Sequence, residues 1–333
     1  MLAQSIEYWW MRIIASMMID GRGPNTAQLA TVVENEAEAI AAVRNAHELG
    51  YFGVKLYGTL DPALVAPIAA EARRLGLHVQ GHIPRGMRPI EAVRAGYNEL
   101  THINFAAMQT MPDEVIQNSN GLARFYGTAR YAPDIDLQSR DMRAYLDELR
   151  RRNVAIDPTL SVYESIYVPD AGEVAAAFAP FLGTMPPQVE RGFRSGGFAP
   201  TAEVSRERMR QAQVALSALV GDMHRRGITI VAGTAGTGFE LVRELELYVD
   251  AGMTPAEALA TATITPARLF RVADDTGSIR VGKAADLVLV EGDPSRNIGD
   301  LRNVVMVMRD GRLMQAGDLR SAIGLSGPPR RAH

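Results

Sequence analysis

The amino-acid sequence contains no cysteine. This absence excludes disulfide bonds, a thiol nucleophile and a zinc site with cysteine ligands. Any metal ion would therefore have to be held by histidines, by carboxylates or by a modified lysine. The lack of cysteine is compatible with both the cytoplasm and the periplasm, so localisation stays open, with the cytoplasm slightly favoured.

The sequence also lacks a strong excess of charge. The formal net charge is −3 over 333 residues, of which 47% are hydrophobic. Nothing in this balance indicates binding to nucleic acid or to an anionic membrane surface. The length and composition instead predict one large α/β domain, or a barrel with a small additional domain, that acts on a small partner.

No apolar run in the sequence is long enough to cross a membrane. The N-terminal stretch MLAQSIEYWWMRIIASMMIDG is apolar in patches, but Glu7 and Arg12 interrupt it. The interruptions come well short of the ~20 apolar residues that a membrane span needs. The stretch also lacks the basic start and continuous apolar core of a signal peptide. Within it, RIIASMMID predicts a buried strand.

From about residue 25 onward, helical and strand-like segments alternate, which predicts a parallel sheet covered by helices. The predicted strands lie in GYFGVKLYG, LHVQGH, YNELTHINF, VAIDPTL and ITIVAGT. The predicted helices are 34–49, 61–76, MRPIEAVRAG, 137–153, 202–226, 239–251 and 255–269. Asp61 and Pro62 open one of these helices as N-cap and first helical residue.

The C-terminal part has a different pattern. Short alternating strands with Gly and Asp turns begin near residue 275, in GSIRVGKAADLVLVEGDPSRNIGDLRNVVMVMRDGRLM. This pattern is typical of an all-β unit. We therefore expect two domains, 1–275 and 276–333, and a hairpin in the second domain with RDG at its turn.

Three polar residues stand at the carboxyl ends of consecutive predicted strands: Lys55, His82 and His102. In a parallel barrel these ends meet at one rim, where active sites are assembled. A single histidine in a strand is more often a hydrogen-bonded structural residue. Three polar residues on successive strands favour a site, whereas the other histidines have placements typical of structural or surface positions: His47, His78 and His224.

Lys55 lies between apolar neighbours, Val54 and Leu56, which should desolvate its amine and favour the neutral form. A neutral amine has two uses. It can form a Schiff base with a carbonyl substrate, or it can take up carbon dioxide to become a carbamate that binds metal ions. The two histidines on the following strands favour the carbamate, because neutral imidazoles are good ligands for zinc and similar ions.

Several segments together resemble one family. These are GVKLYGTLDPALVAPIAAEARRLGLHVQGHIP, AGYNELTHIN, IVAGTAGTGFELVRELELYVDAGMTPAEALATATITPARLF and GSIRVGKAADLVLVEGDP. In this order they resemble the metal-dependent amidohydrolase superfamily, in its imidazolonepropionase and prolidase-like branch. The resemblance implies a TIM-like (β/α)8 barrel with a small β-sandwich, and metal ligands on barrel strands one, four, five, six and eight.

Carried over to this chain, the resemblance implies that Lys55 is the carboxylated lysine of strand four, His82 the ligand of strand five and His102 that of strand six. The aspartate of strand eight, which binds metal and accepts a proton, is replaced by Ala235 in GTAGTG. The His-x-His pair of strand one would precede residue 1. The resemblance thus implies an incomplete barrel without strands one and two, and only part of the sandwich. A targeting signal, periplasmic or other, would be missing with them.

The resemblance implies hydrolysis of an amide, peptide or cyclic C–N bond by metal-bound hydroxide, with one or two divalent ions, expected to be zinc. The substrate would be a small molecule or a short peptide. Ala235 predicts impaired activity, since loss of a central acid–base group costs about 10²–10⁴ in rate. The alternatives are a catalytically inactive fold with a binding or structural role, and a Schiff-base lyase that uses Lys55.

Other residues have two interpretations each. Tyr57 and Arg85 are candidates to hold a substrate carboxylate or are surface and packing groups. Asp157 and Glu164 are candidate acids or bases, or residues that cap and solvate the rim. The glycines of GTAGTG allow a phosphate loop, although no P-loop lysine follows them. An open barrel edge also predicts a homo-oligomer or another association that covers it.

Overall fold

The computed structural model describes residues 13–330 of the chain. Glu7 and Arg12, which argue against a membrane span in the sequence, lie outside the described residues. Within the described part, no helix combines the length and the apolarity that crossing a membrane requires.

The centre of the fold is a parallel sheet. Among the described residues it has six strands in the order β2-β1-β3-β4-β5-β6. The strands are β1 Ser16–Asp20, β2 Thr31–Val32, β3 Gly53–Leu56, β4 His78–Gly81, β5 Glu99–Thr101 and β6 Ala155–Asp157. The sequence prediction of an α/β fold with a parallel sheet is therefore confirmed.

The two faces of the sheet differ in polarity. Val54, Leu56 and Leu100 alternate with polar residues along β3 and β5 and are fully buried under the helices. Each such side chain contributes ~1.5–3 kcal/mol of hydrophobic stabilisation. Lys55, Gln80 and Glu99 are paired in register across β3, β4 and β5 and so share the opposite face. The strands therefore direct polar side chains to the inside of the barrel-like curve.

Fourteen helices are found in the described residues. They are α1 Glu36–Glu48, α2 Val65–Arg74, α3 Pro89–Ala95, α4 Ile103–Ala107, α5 Asp113–Gln117, α6 Ala123–Tyr131, α7 Arg140–Arg152, α8 Leu160–Tyr167, α9 Pro187–Phe193, α10 Arg206–Arg225, α11 Leu241–Asp250, α12 Pro255–Thr261, α13 Ile264–Leu269 and α14 Ala316–Ala322. Of these, α1, α2 and α4 pack directly against strands of the parallel sheet.

The predicted helix starts have a clear physical basis. Asn35 caps α1 by accepting a hydrogen bond from the backbone N–H of Glu38 at 3.0 Å. The Asp61 carboxylate likewise accepts a hydrogen bond from the backbone N–H of Ala63 at 2.9 Å. The predicted helix 61–76 nevertheless begins as a 3₁₀ turn, Pro62–Leu64, before α2. The predicted helix 255–269 is divided into α12 and α13, because Pro266 has no N–H to donate to the preceding turn.

Two predicted strands need correction. YNELTHINF is a strand only at Glu99–Thr101, and α4 begins at Ile103 after a reversal of the backbone at His102. ITIVAGT makes a single parallel bridge between Ile230 and Ile156. The N–H of Ala232 then donates to the carbonyl of Thr261 at 2.9 Å, so the chain leaves the sheet after that bridge. We call this bridge segment, 228–234, the eighth barrel segment.

A separate antiparallel sheet is formed by the C-terminal strands. These are β7 Leu287–Val290, β8 Val304–Arg309 and β9 Arg312–Gln315, in the order β7-β8-β9. Asp310 and Gly311 both have positive φ, 47° and 78°, as a two-residue hairpin turn requires. The predicted RDG turn is therefore confirmed, whereas the domain boundary near residue 275 stays a prediction.

Candidate active site

Two of the predicted site residues lie side by side at the carboxyl ends of neighbouring strands. His82 follows β4 and His102 follows β5, and their ring centroids are 4.9 Å apart. The two side chains are buried, with 6% and 8% of the residue exposed. The backbone carbonyl of His82 accepts a hydrogen bond from the Tyr97 hydroxyl at 2.7 Å, which fixes its position.

His102 has an unusual backbone. Its φ is +72°, in the left-handed region that side chains with a Cβ rarely occupy. Its N–H donates to the carbonyl of Asp157 at 2.7 Å, and the next N–H, of Ile103, donates to the carbonyl of Pro158 at 2.9 Å. These bonds to the end of β6 hold the reversal that turns the imidazole towards His82. Such strain concentrates at functional sites.

Both imidazoles are neutral at neutral pH. Burial lowers the pKa of His82 well below its ordinary value, and the neighbouring His102, Arg124 and Lys55 lower it further. Burial also lowers the pKa of His102 to about 3, with added effects from Lys55 and Arg124. Neutral imidazoles have the lone pair that a metal ion needs. His102 Nδ1 lies 2.8 Å from Thr159 Oγ1, which can accept a hydrogen bond from Nδ1–H and leave Nε2 free as a ligand.

Lys55 and Tyr57 lie next to the histidines. Tyr57 places its ring centroid 4.5 Å from that of His82, and Lys55 Nζ lies 5.5 Å from the Tyr57 ring centroid. Lys55 is half-buried and near enough to both histidines to lower their pKa values. We name these four residues the rim cluster: Lys55, Tyr57, His82 and His102.

Arg85 does not belong to the rim cluster. Its side chain is exposed and borders an open cavity of about 420 Å³. Other residues that border this cavity include Arg22, Asn25, Thr59 and Asn120, and no member of the rim cluster is among them. The structure thus separates the two residues that the sequence proposes for a substrate carboxylate, since Tyr57 is in the cluster and Arg85 is not.

Arg124, on α6, lies at the rim, and no pattern in the sequence predicts this position. Its guanidinium carbon lies 4.6 Å from the ring centroid of Phe125 and 5.7 Å from that of Phe105. Arg124 Nη1 is 3.4 Å from His82 Nδ1. Its Nε is buried and has no hydrogen-bond partner among the described residues. The Arg124 guanidinium therefore lies beside His82 and has one donor without a partner among the described residues.

Ala235 lies in the loop after the eighth barrel segment, as the sequence indicates. It is exposed and has a left-handed backbone, with φ of 49°. Its methyl group can neither hold a metal ion nor accept a proton.

Asp157, the last residue of β6, is an acid at the rim. Its Oδ1 is buried and makes no hydrogen bond to any described residue. Burial raises the pKa of Asp157 well above its ordinary value, as do Glu99 and Glu244, whereas Lys55 opposes this shift. A Cβ on Gly233 would collide with this carboxyl group. The end of β6 and the eighth barrel segment are therefore in direct contact.

Glu164, the other acid considered from the sequence, has a structural partner. Its carboxylate is 2.7 and 2.9 Å from Arg243 nitrogens, in a bidentate ion pair between α8 and α11. This geometry gives Glu164 a packing role and not that of an acid or base.

The glycine-rich loop does not suit a phosphate. The Glu240 carboxylate accepts from Thr237 Oγ1 at 3.0 Å and from the Thr237 N–H at 3.4 Å. A side chain at Gly236 would collide with the same carboxylate. Because the buried Glu240 carboxyl group already takes the donors of Thr237, these donors are not free to bind a phosphate.

The donor atoms of the rim fit part of a metal site. Within residues 13–330, no three His, Cys, Asp or Glu side chains are grouped closely enough to hold a metal ion. The rim cluster does provide two neutral imidazoles, and a lysine carbamate would add an anionic ligand with two oxygens. This set of ligands is typical of zinc and similar ions.

A segment within the C-terminal half of the chain matches a family model. Residues 188–314 match the model of the Amidohydrolase family. A curated protein, adenine deaminase from Rubrobacter xylanophilus, is 48% identical over 42 residues, which cover 13% of this chain and 7% of that protein.

Solved structures share the fold. A Xaa-Pro dipeptidase with bound methionine in the active site has a TM-score of 0.58 and 20% identity, over 90% of this chain and 66% of that one. A prolidase from Bifidobacterium longum has a TM-score of 0.55 and 23% identity, over 97% of this chain and 68% of that one. The chain thus spans about two thirds of the length of these solved proteins. These structures confirm the barrel-type fold, and the family match over residues 188–314 agrees with the resemblance to the amidohydrolase superfamily in that part of the chain.

Proposed function

We propose that the chain acts as a metal-dependent hydrolase of amide or peptide C–N bonds in small molecules or short peptides. The observation that carries this proposal is the His82–His102 pair, 4.9 Å apart and neutral, with Lys55 beside it at the carboxyl ends of parallel strands. The family match and the shared fold support it.

His82, His102 and a carbamate on Lys55 would hold one divalent ion, with zinc as the expected metal. Such an ion would polarise the scissile carbonyl as a Lewis acid. Thr159 orients the ring of His102 through the 2.8 Å hydrogen bond. Phe105, whose ring centroid is 5.1 Å from that of His82, excludes water from one side of the pair.

Arg124 and Tyr57 would bind the substrate. A guanidinium group with an unpaired, buried Nε is suited to a carboxylate, which accepts two parallel hydrogen bonds from it. One solved relative is a Xaa-Pro dipeptidase that binds methionine in its active site. A dipeptide with a free C-terminal carboxylate is therefore the substrate class we propose, with that carboxylate on Arg124.

Ala235 would limit the rate. The loop after the eighth barrel segment presents a methyl group, so no side chain at this position can accept the proton of an attacking water. We propose that the chain binds substrate well but turns it over slowly.

A second candidate is a binding protein without catalytic activity. In the part of the chain that the structure describes, no third His, Cys, Asp or Glu lies beside the two histidines to complete a metal site. This observation favours the binding protein. The two candidates differ in metal content and turnover. Borohydride trapping distinguishes a Schiff-base lyase from both candidates, because only the lyase would leave a carbonyl substrate covalently attached to Lys55.

Metal analysis of purified protein tests the proposal. Wild-type protein should contain zinc near one equivalent, and His82→Ala and His102→Ala should lose it. His47→Ala is the matched control, because His47 is exposed on α1, and this variant should retain the metal. Metal-free wild-type protein, or metal that persists in the double variant of His82 and His102, would overturn the proposal.

A further inference from the structure

A cavity at the carboxyl ends of β1 and β3 lies apart from the rim cluster. Its volume is about 420 Å³, which is within the range of sites that hold a small molecule. The loop 21–25 after β1 and the loop 58–62 after β3 form two of its walls, and Arg85 and Asn120 also border it. We call this cavity the crevice.

The order of the strands explains why the crevice opens at this point. Among the described residues the sheet runs β2-β1-β3-β4-β5-β6. The chain therefore leaves β1 towards β2 on one side and leaves β3 towards β4 on the other, so the two loops diverge. Ligands of parallel α/β sheets bind in the crevice that forms where the strand order reverses in this way.

Asp20, the last residue of β1, holds the two walls of the crevice together. Its side chain is fully buried, and its carboxyl group accepts the backbone N–H groups of Gly21 at 2.9 Å, Ala27 at 2.8 Å and Thr59 at 2.9 Å. A Cβ on Gly21 would collide with the carbonyl of Thr59, so glycine allows the walls to approach this closely. The walls of the crevice are thus fixed by a buried side chain.

Hydrogen-bond donors are available at the crevice. The side chain of Arg85 makes no hydrogen bond or ion pair with any other residue in the described range 13–330. Arg22 differs, because its Nε lies 2.5 Å from Glu34 Oε1. Asn120 Nδ2 donates to Thr59 Oγ1 at 2.9 Å, which leaves the hydroxyl proton of Thr59 for a ligand. A guanidinium group and a hydroxyl group can therefore donate to one anion.

We propose that the crevice binds a sugar phosphate, with the phosphate group on Arg85. The planar fork of arginine matches the oxygens of a phosphate group, and Thr59 adds a neutral donor. Glu34 and Asp61 also border the crevice and can accept hydrogen bonds from sugar hydroxyls, as acidic residues do in crevices of this kind. The proposal is independent of the proposed function, because no member of the rim cluster borders the crevice.

Calorimetric titration of the full chain with ribose 5-phosphate tests this proposal. The wild type should bind it, and Arg85→Met should weaken binding by about 10–100-fold, the loss expected for a charged hydrogen bond. Arg94→Met, at an exposed position on α3, is the matched control and should bind as the wild type does. Arg124→Met should also keep its affinity, because Arg124 does not border the crevice.

Ribose and acetate show which part of the ligand is recognised. Each should bind about tenfold or more weakly than ribose 5-phosphate, since neither carries a phosphate group. Acetate that binds as tightly would make the crevice a carboxylate site and overturn the proposal. Equal affinity in the wild type and Arg85→Met, loss of binding in folded Arg124→Met, or no binding by the wild type would also overturn it. None of these results affects the test of metal binding at His82 and His102.

Discussion

The Nδ1 atom of His102 lies 2.8 Å from the hydroxyl oxygen of Thr159, and both residues have a left-handed backbone, with φ of 72° and 51°. This hydrogen bond joins the end of β5 to the residue that precedes α8. Two strained turns are thus held against each other at the rim, which fixes the orientation of one imidazole beside the other. Such a partner determines which ring nitrogen is free to bind a metal.

Removing the Thr159 hydroxyl should weaken metal binding. We expect Thr159→Ala to lower zinc affinity by about 10–100-fold, because the ring of His102 loses the partner that fixes its tautomer. Thr159→Ser keeps the hydroxyl and should stay near the wild type. Calorimetric titration with zinc measures both affinities, and equal affinities for the two variants would show that the hydrogen bond is unimportant.

The stability of the metal-free protein should depend on pH through His102. Its pKa in the folded state is lowered to about 3, chiefly by burial. In the unfolded chain a histidine has a pKa of about 6.5. At pH values between the two pKa values, only the unfolded state binds the proton. The free energy of unfolding should therefore fall as the pH drops through this window, by roughly 1.4 kcal/mol per pH unit from this residue.

His102→Asn isolates this contribution to the pH dependence. Asparagine tolerates the left-handed backbone better than most residues and does not titrate. Urea denaturation at about pH 7 and about pH 5 should show a shallower loss of stability in the variant than in the wild type. Parallel losses in the two proteins would mean that His102 can take up its proton in the folded state.

An aspartate at position 235 should raise the rate of hydrolysis. Ala235→Asp adds a group that can accept a proton, and we expect a gain in kcat of roughly 10²–10⁴-fold with a dipeptide substrate. Aspartate tolerates the left-handed φ of this position. Ala235→Asn has a similar size and backbone tolerance but cannot accept the proton, so it should give no gain. An equal gain in both variants would point to a change in loop structure.

Replacement of Arg124 should weaken the binding of substrates with a free carboxylate. We expect Arg124→Met to lose about 1.5–3 kcal/mol of binding free energy for a dipeptide, the usual contribution of a charged hydrogen bond. A C-terminally amidated dipeptide should be affected much less. Arg85→Met is the control, since Arg85 borders a different cavity. Weaker binding in Arg85→Met alone would assign the carboxylate to that cavity instead.

Much of the fold follows from local sequence patterns. The segment GYFGVKLYG predicts a short buried strand, and β3 occupies Gly53–Leu56 within it. The strand predicted in ITIVAGT was wrong in extent, because Ala232 bonds to Thr261, a contact between distant residues that no local pattern encodes.

Local sequence patterns also predict part of the site, namely the residues at the ends of strands. Lys55 and His82 lie at strand ends, and strand ends can be located from apolar periodicity. The turn at His102 depends on carbonyls of β6, and Arg124 reaches the rim from α6, in a segment without regular pattern. The isolation of Asp157 is a property of the packed structure, since it depends on which carboxylates find partners.

Anomalous diffraction from crystals grown with zinc tests the central claim most directly. The account predicts an anomalous peak at the zinc edge between the rings of His82 and His102, with density for a carbamate on Lys55. A peak at another position, or no peak at these two histidines in fully folded protein, would contradict it.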